Sequence, residues 1–506
     1  MEAVRRLQAD WRYPTALLCI YGFFSTVKPL EPFLIPYLTG PDKNLTTAQV
    51  NNQIFPVWTY SYLSVLVPVF LLTDWLRYKP VVVFQCLSLF TTTAMLLWLR
   101  SVAAMQAMQF FYGVVTASEV AYFSYIYSVV DLKRYRKATS YCRSVQLLGY
   151  TAGSVLGQLL VSFQLMSYDN ILVFTLVLTS IALPVACLLP MPQQSMFFHR
   201  RKSGTEGIRT HGDGTVDSTE LSQGANVSLE EPREEKVEKE AGEGVDDIEV
   251  GARSCSQVLL QLWRDFYQCY SSRQLLYWSV WWAMATCGYN QTVNYVQVLW
   301  EHVQPSQNVS IYNGGVEALS NLLSAATVYG IGFVEVRWDQ WGELALGGFS
   351  GLGAAALFLM TFIGNIWVCY GGYILFKCLY TLLITIAMYQ IAADLTTERY
   401  ALVFGVNNFG ALALQTIITS VVVDSSGLGL SIIPQVRSRI RNVRVRCSAD
   451  EVMVCWFFLQ FTIYASYFSL IAVVFSLRGL FTVWRSDRES TAAVQNEPPD
   501  CDQHTF

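Results

Sequence analysis

The chain has 506 residues, of which 53% are hydrophobic, 14% aromatic and only 14% charged, with a mean hydropathy of +0.34. A water-soluble protein of ordinary composition carries about a quarter charged residues, so an ordinary cytosolic protein is excluded, and nothing suggests a nucleic-acid partner. The net charge of −4 is unevenly spread: residues 203–250 hold 14 acidic against four basic side chains, which leaves +6 on the rest of the chain.

In chain order, apolar windows fall at 14–38, 54–73, 80–99, 104–130, 138–163, 170–190, 274–298, 313–334, 342–362, 367–391, 401–423 and 452–480. Each approximates the ~20 residues that cross a hydrocarbon layer as one helix. The spacing predicts an all-α polytopic membrane protein of 12 transmembrane helices: a six-helix bundle over 1–190, a linker over 191–273, a second six-helix bundle over 274–480 with an atypical insert at 435–458, and a tail over 481–506. The first window follows Arg5, Arg6 and Arg12 and is interrupted by Lys28, Pro29, Glu31 and Pro32, so no cleavable signal peptide is expected. The middle of the linker is acidic and too poor in apolar residues to fold, which predicts disorder on the cytosolic side. Its end, Val258 to Tyr270, predicts a short amphipathic helix lying along the membrane surface.

Short loops rich in Lys and Arg face the cytosol. Arg77 and Lys79 follow the second window, Lys133, Arg134, Arg136 and Lys137 the fourth, and His199, Arg200, Arg201 and Lys202 the sixth. The opposite loops offer only Lys43, Arg100 and His302 before the last one, so both termini are expected in the cytosol. Glycosylation sequons at Asn44 and Asn308 fall in loops placed outside, whereas Asn226 lies in the linker and Asn290 within a span. One stretch departs from the pattern: Gln435 to Cys447 places five arginines in an outer loop.

The four histidines, His199, His211, His302 and His504, all lie in loops or tails, which argues against a histidine-based metal or nucleophilic centre in the membrane. The 12 cysteines form no C-x-x-C pair and read as packing residues, and no phosphate-cradling loop is present, so no metal, cofactor or enzymatic activity is expected. What remains are ionisable groups at membrane depth, which are costly and mark a pathway by default. Lys28 and Glu31 lie three residues apart on one face of a span broken by prolines, either as a structural pair or as part of a substrate site of the kind transporters build in interrupted helices. Gln109, Tyr112, Thr116, Glu119 and Phe123 form one helical stripe, in which Glu119 either lines a cavity or is buried with a partner. Further polar faces carry Asn290, Asn294 and Gln297, and Asn313, Glu317, Ser320 and Ser324; helix-to-helix hydrogen bonding accounts for the amides and hydroxyls as well as a pathway does, but poorly for Glu317. Gln146 and Tyr150, Phe55 and Trp58, and Lys377 with Tyr380 complete the set. If Lys28 pairs with Glu31, Glu119 and Glu317 leave an acidic surplus for a cationic solute, which the aromatic rings would also hold.

Six plus six spans, with Asp74-Trp-Leu-Arg77-Tyr-Lys79-Pro80 after the second, resemble the major facilitator superfamily and its loop between the second and third helices, which gives Asp74, Arg77 and Lys28 an expected gating or structural role. The strings EPFLIPYLTGPDKNLT from Glu31, FPVWTYSYL from Phe55, QFFYG from Gln109, YCRS from Tyr141, NYVQVLW from Asn294, IYNGGVEA from Ile311 and ERYALVFGVN from Glu398 resemble the reduced folate carrier family, most closely its thiamine-transporting branch. That resemblance implies plasma-membrane uptake of thiamine by alternating access, with the aminopyrimidine ring among Phe55, Trp58 and Tyr112 and with Glu31, Gln109, Glu119, Tyr150, Asn294 and Glu317 supplying contacts or field. Folate carriers have arginine at the position of Glu119 and lysine at that of Gln415, so both residues argue against folate. Gln109 stands where the branch has glutamate, a departure that weakens the expected hydrogen bond to the pyrimidine amino group. Exchange of a proton on Glu119 or Glu317 and electrogenic uniport are both open. Carriage of pyridoxine or folate, and a transport-inactive receptor or scaffold acting through the acidic linker, are the alternative readings.

Overall fold

The computed structural model describes residues 11–130, 132–192, 198, 255–305, 311–331, 338–393, 395, 397–424 and 449–495. The sequon at Asn308, the arginine-rich stretch 435–447 and the middle of the acidic linker lie outside the described residues.

Every described element is helical. The first half contains α1 (Arg12–Thr26), the short α2 (Leu34–Thr39), α3 (Phe55–Trp75), α4 (Lys79–Trp98), α5 (Val102–Val129), α6 (Leu132–Ser162) and α7 (Tyr168–Leu188). After the linker come α8 (Cys255–Tyr270), α9 (Arg273–Val303), α10 (Asn313–Ile331), α11 (Trp338–Phe362), α12 (Ile366–Ala393), α13 (Thr397–Ile418) and α14 (Ala449–Gln495). Each apolar window of the sequence holds its helix, α1 and α2 sharing the first. The largest differences are at polar ends: α6 starts at Leu132, six residues before its window, and α14 runs to Gln495, past the window's end at 480. Hydropathy marks the hydrocarbon-crossing part of a helix, and helices continue beyond it wherever water can solvate their side chains.

Among the described residues, nine helical segments are long and apolar enough to cross a membrane. The three long helices that fall short are α5, α9 and α10, the carriers of the Gln109–Glu119, Asn290–Gln297 and Asn313–Ser324 faces. Polar helices of this kind need protein or water beside them rather than lipid.

Within the first half, α1 packs on α6 and α7, α3 and α4 on α5, and α4 on α7; within the second, α11 packs on α12 and α14, and α9 on α12 and α13. The halves meet through α6 against α10 and α3 against α13. The first span breaks where its sequence dictates. Val27 is extended (ψ 95°), and a 3₁₀ turn at Glu31–Phe33 follows before α2. Pro29 and Pro32 cannot donate to a helical ladder. Gly149, Gly153 and Gly157 of α6, spaced four apart, hold this break: a Cβ at Gly153 would lie 2.8 Å from the Lys28 backbone nitrogen, and one at Gly149 2.9 Å from the Phe23 carbonyl. A Cβ at Gly157 would run into the carbonyl of Pro29. Small residues at this spacing let membrane helices approach backbone to backbone.

The contacts between the halves concentrate at one end. Tyr60 donates to Asp424 at 2.8 Å, Gln415 Nε2 donates to Thr59 at 3.2 Å, and Gln297 Nε2 donates to the Glu31 carbonyl at 3.1 Å. Gln158 clamps the start of α10, donating to the Ile311 carbonyl at 2.9 Å and accepting from the Gly315 N–H at 3.0 Å. On the same end, Lys43 folds inward and donates to the carbonyls of Leu97 and Leu99 at 3.0 and 2.7 Å, capping α4, while burial lowers its basicity. The neighbouring Asn44 stays exposed in a left-handed turn (φ 53°).

Gly157→Val should force the broken segment off α6. Overpacking of this kind costs ~1–3 kcal/mol, so thermal unfolding of the purified protein should shift downward by several degrees. Gly348→Ala, where a Cβ meets open space, should leave the unfolding temperature unchanged or slightly raised.

Candidate functional site

The polar face of α5 looks toward the break in the first span. Lys28 Nζ donates to the Tyr112 hydroxyl at 3.3 Å and lies 5.0 Å from its ring, and that hydroxyl donates to Glu31 Oε1 at 3.3 Å. Tyr112 thus joins the two charges that the broken span presents. One turn further along α5, Thr116 accepts from Trp58 Nε1 at 3.1 Å, and Trp58 lies 5.8 Å from the ring of Tyr62. The Phe55 ring lies 6.1 Å from that of Tyr295, which belongs to the other half.

Glu119 is the next acid on this face. It is half-buried, and Gln146 Nε2 donates to it at 3.4 Å. Lys28, Arg143, Tyr62 and Tyr150 all lie within its electrostatic range, but among the described residues no cation stands within ion-pair distance. Gln109, buried, and Asn294 and Tyr150, half-buried, likewise have side chains with no hydrogen-bond partner among the described residues. None of these three side chains is among the buried polar atoms left without a partner among the described residues, so their polar ends are not stranded in a dry core.

Glu317 differs from its expected role. It accepts from Lys377 Nζ at 2.6 Å and from the Tyr373 hydroxyl at 2.7 Å, so it does not add to an acidic surplus. The sequence alone could not find this pairing because the partners lie 60 residues apart on α10 and α12. Their neighbours follow suit: Tyr370 donates to Asn313 at 2.9 Å and Ser324 to Cys378 Sγ at 3.6 Å, which makes this face of α10 largely helix-to-helix glue. Asn290 donates to Gln415 Oε1 at 3.2 Å.

Asp74 is buried and accepts from Tyr78 at 2.7 Å and from the Phe198 backbone N–H at 2.9 Å, so it anchors the chain leaving the sixth span. Arg77 occupies a left-handed turn (φ 56°), and its guanidinium has no partner among the described residues. The sequence reading named neither the glycine ladder of α6 nor the Gln158 clamp. The four-residue spacing of Gly149, Gly153 and Gly157 was the available signal.

Removing one member of a buried ion pair strands the other, at about 3–5 kcal/mol. Glu317→Gln should therefore sharply reduce the amount of folded protein recovered, and Glu317→Gln/Lys377→Gln should restore most of it, as measured by monodisperse elution and thermal unfolding.

The family model for the reduced folate carrier matches residues 9–437. The chain is 51% identical to human (Homo sapiens) thiamine transporter 1 over 97% of its own length and 94% of that protein, and 45% identical to human thiamine transporter 2 over 98% and 95%. It is 40% identical to the human reduced folate transporter over 84% of its own length and 68% of that protein. Among solved structures, a bacterial homologue of the human lysosomal transporter Spinster, in an inward-facing and unoccupied conformation, and the nucleoside transporter NupG each align with a TM-score of 0.55 at 11% identity. The alignments cover 94% of this chain and 98% of the first structure, and 91% and 98% for the second. At that identity the likeness concerns the fold alone. The chain belongs to the reduced folate carrier family and is a multi-helix membrane transporter, not an enzyme.

Proposed function

We propose that the chain carries thiamine across the plasma membrane into the cell by alternating access. The observation that carries this reading is Glu119. With Lys377 committed to Glu317, and Lys28 and Glu31 joined through Tyr112, it is the deep acid that has no cation within ion-pair distance among the described residues. Thiamine is a flat molecule with a fixed positive charge, and a carboxylate beside Trp58, Tyr112 and Tyr150 offers it both ion pairing and ring faces. The thiamine transporters among its relatives support the same choice.

Phe55, Trp58 and Tyr112 take the aminopyrimidine ring in this proposal, while Gln109, Asn294 and Tyr150 offer the unpartnered polar groups. Glu31 sets the local field through Tyr112, and Glu317 shapes the far wall as an ion pair. Lys28, Asp74 and Arg77 act in gating or support. The interlocked end, with Tyr60, Gln158, Gln415 and the exposed Asn44, faces outward, Asn44 and Asn308 carrying glycans, and both termini lie in the cytosol. The structure then corresponds to a state open inward. A negative interior favours entry of a monovalent cation by about 2.3 kcal/mol per 100 mV. A coupled proton would have to ride on Glu119, because Glu317 is held by Lys377.

Glu119→Arg should abolish saturable uptake of radiolabelled thiamine while surface biotinylation stays normal. Retained uptake would remove Glu119 from the pathway. Gln109→Glu should tighten thiamine binding, since charge assistance adds about 1 kcal/mol to a hydrogen bond, or ~5-fold in affinity. Weaker binding in a competition assay with thiamine, pyridoxine and folate would show that another group occupies this position.

A further inference from the structure

The helix that ends the linker has three distinct faces. One is taken by protein. Val258 and Leu262 pack with Phe70 of the first half and with Phe198 at the start of the linker, and Asp265 and Gln268 bind Arg399 at 3.4 and 2.7 Å. Tyr270 donates to Asn407 at 2.7 Å, and both Arg399 and Asn407 belong to α13 of the second half. A second face is apolar and uncovered: Leu259, Leu260, Trp263 and Tyr267 fall within one ~100° sector and are 48%, 54%, 66% and 71% exposed. Beside that sector lies exposed Arg264, and Arg273 is exposed at the first turn of α9; among the described residues neither has an acidic partner.

What covers the apolar face follows from its position. Only Ser271 and Ser272 separate α8 from α9, a helix of the bundle, so α8 lies level with the ends of the membrane-spanning helices. Trp and Tyr are the residues that settle at the headgroup level, and a helix with one apolar face, flanking arginines and one protein face lies in that boundary plane. Arginine forms charge-assisted, bidentate bonds with phosphate oxygens.

We propose that α8 is an interfacial helix whose Leu259, Leu260, Trp263 and Tyr267 face sits in the adjoining lipid leaflet, with Arg264 and Arg273 binding anionic phospholipid headgroups. The same helix touches Phe70 on one half and Arg399 and Asn407 on the other.

The test uses the full-length protein in vesicles of phosphatidylcholine and phosphatidylserine at 4:1, with a photoreactive phenylalanine analogue replacing Trp263, Tyr267 or, as the inward-facing control, Leu262. Mass spectrometry after illumination should find lipid adducts at 263 and 267 and intramolecular adducts at 262. Phosphatidylserine should make up at least twice its bulk share of those lipid adducts, and Arg264→Gln/Arg273→Gln should bring it back to the bulk share. Cross-links from 263 and 267 to another protein chain, or no lipid adducts at either position in monodisperse protein, would overturn the proposal. A phosphatidylserine share equal to bulk in the unmodified arginine background would overturn the anionic-lipid assignment.

Discussion

Charge inside a membrane has to be compensated, and this constraint organises the interior of the bundle. Moving an ion out of water costs several kcal/mol even after relaxation, so deep lysines and carboxylates find one another. Lys377 meets Glu317 directly, with Tyr373 supporting the carboxylate. Lys28 and Glu31 meet through the shared hydroxyl of Tyr112. Among the described residues Glu119 has an amide donor, Gln146, at 3.4 Å and no cation within ion-pair distance, Lys28 and Arg143 acting on it from further away. A carboxylate left this way stays ionised only if water or a cation reaches it, which ties the electrostatics of the interior to its proposed cargo.

Backbone geometry decides where those charges stand. Lys28 and Glu31 are presented by a stretch of chain that is not an α-helix, and such a stretch survives at membrane depth only when protein encloses it. The glycine ladder of α6 contributes to that enclosure, since it lets the helix lie directly against the backbone of the break. The same helix reaches across to the other half at Gln158, and Gly314 of α10 comes close enough that a Cβ there would lie 2.7 Å from the Ser154 carbonyl. One helix therefore positions the break on one side and contributes to the interlock between the halves on another.

The periodicities that made the fold legible are local. Apolar blocks separated by basic loops gave the helices in order, prolines gave the break after Val27, and the 3-4 spacing from Gln109 to Glu119 gave the polar stripe of α5. The amphipathic helix before α9 was legible too, because its apolar and polar residues fall on different faces. Pairing is not local, and there the sequence was mute. Glu317 looks like a lone acid in the chain, and its cation lies on a different helix. The polar residues of α10 look like a channel lining, yet Asn313 and Ser324 turn toward α12. The ladder of α6 was written plainly at four-residue intervals, but its meaning depends on Pro29 lying opposite, which no spacing discloses.

The central claim is that the carboxylate of Glu119 recognises the fixed charge of thiamine. The most direct measurement is the affinity of the unmodified protein and of Glu119→Gln for thiamine and for its neutral isostere, in which the thiazolium nitrogen is replaced by carbon. The account predicts that the unmodified protein prefers the cation by ~10-fold or more, equivalent to about 1.4 kcal/mol, and that Glu119→Gln binds the two ligands alike. An undiminished preference for the cation in Glu119→Gln would contradict it.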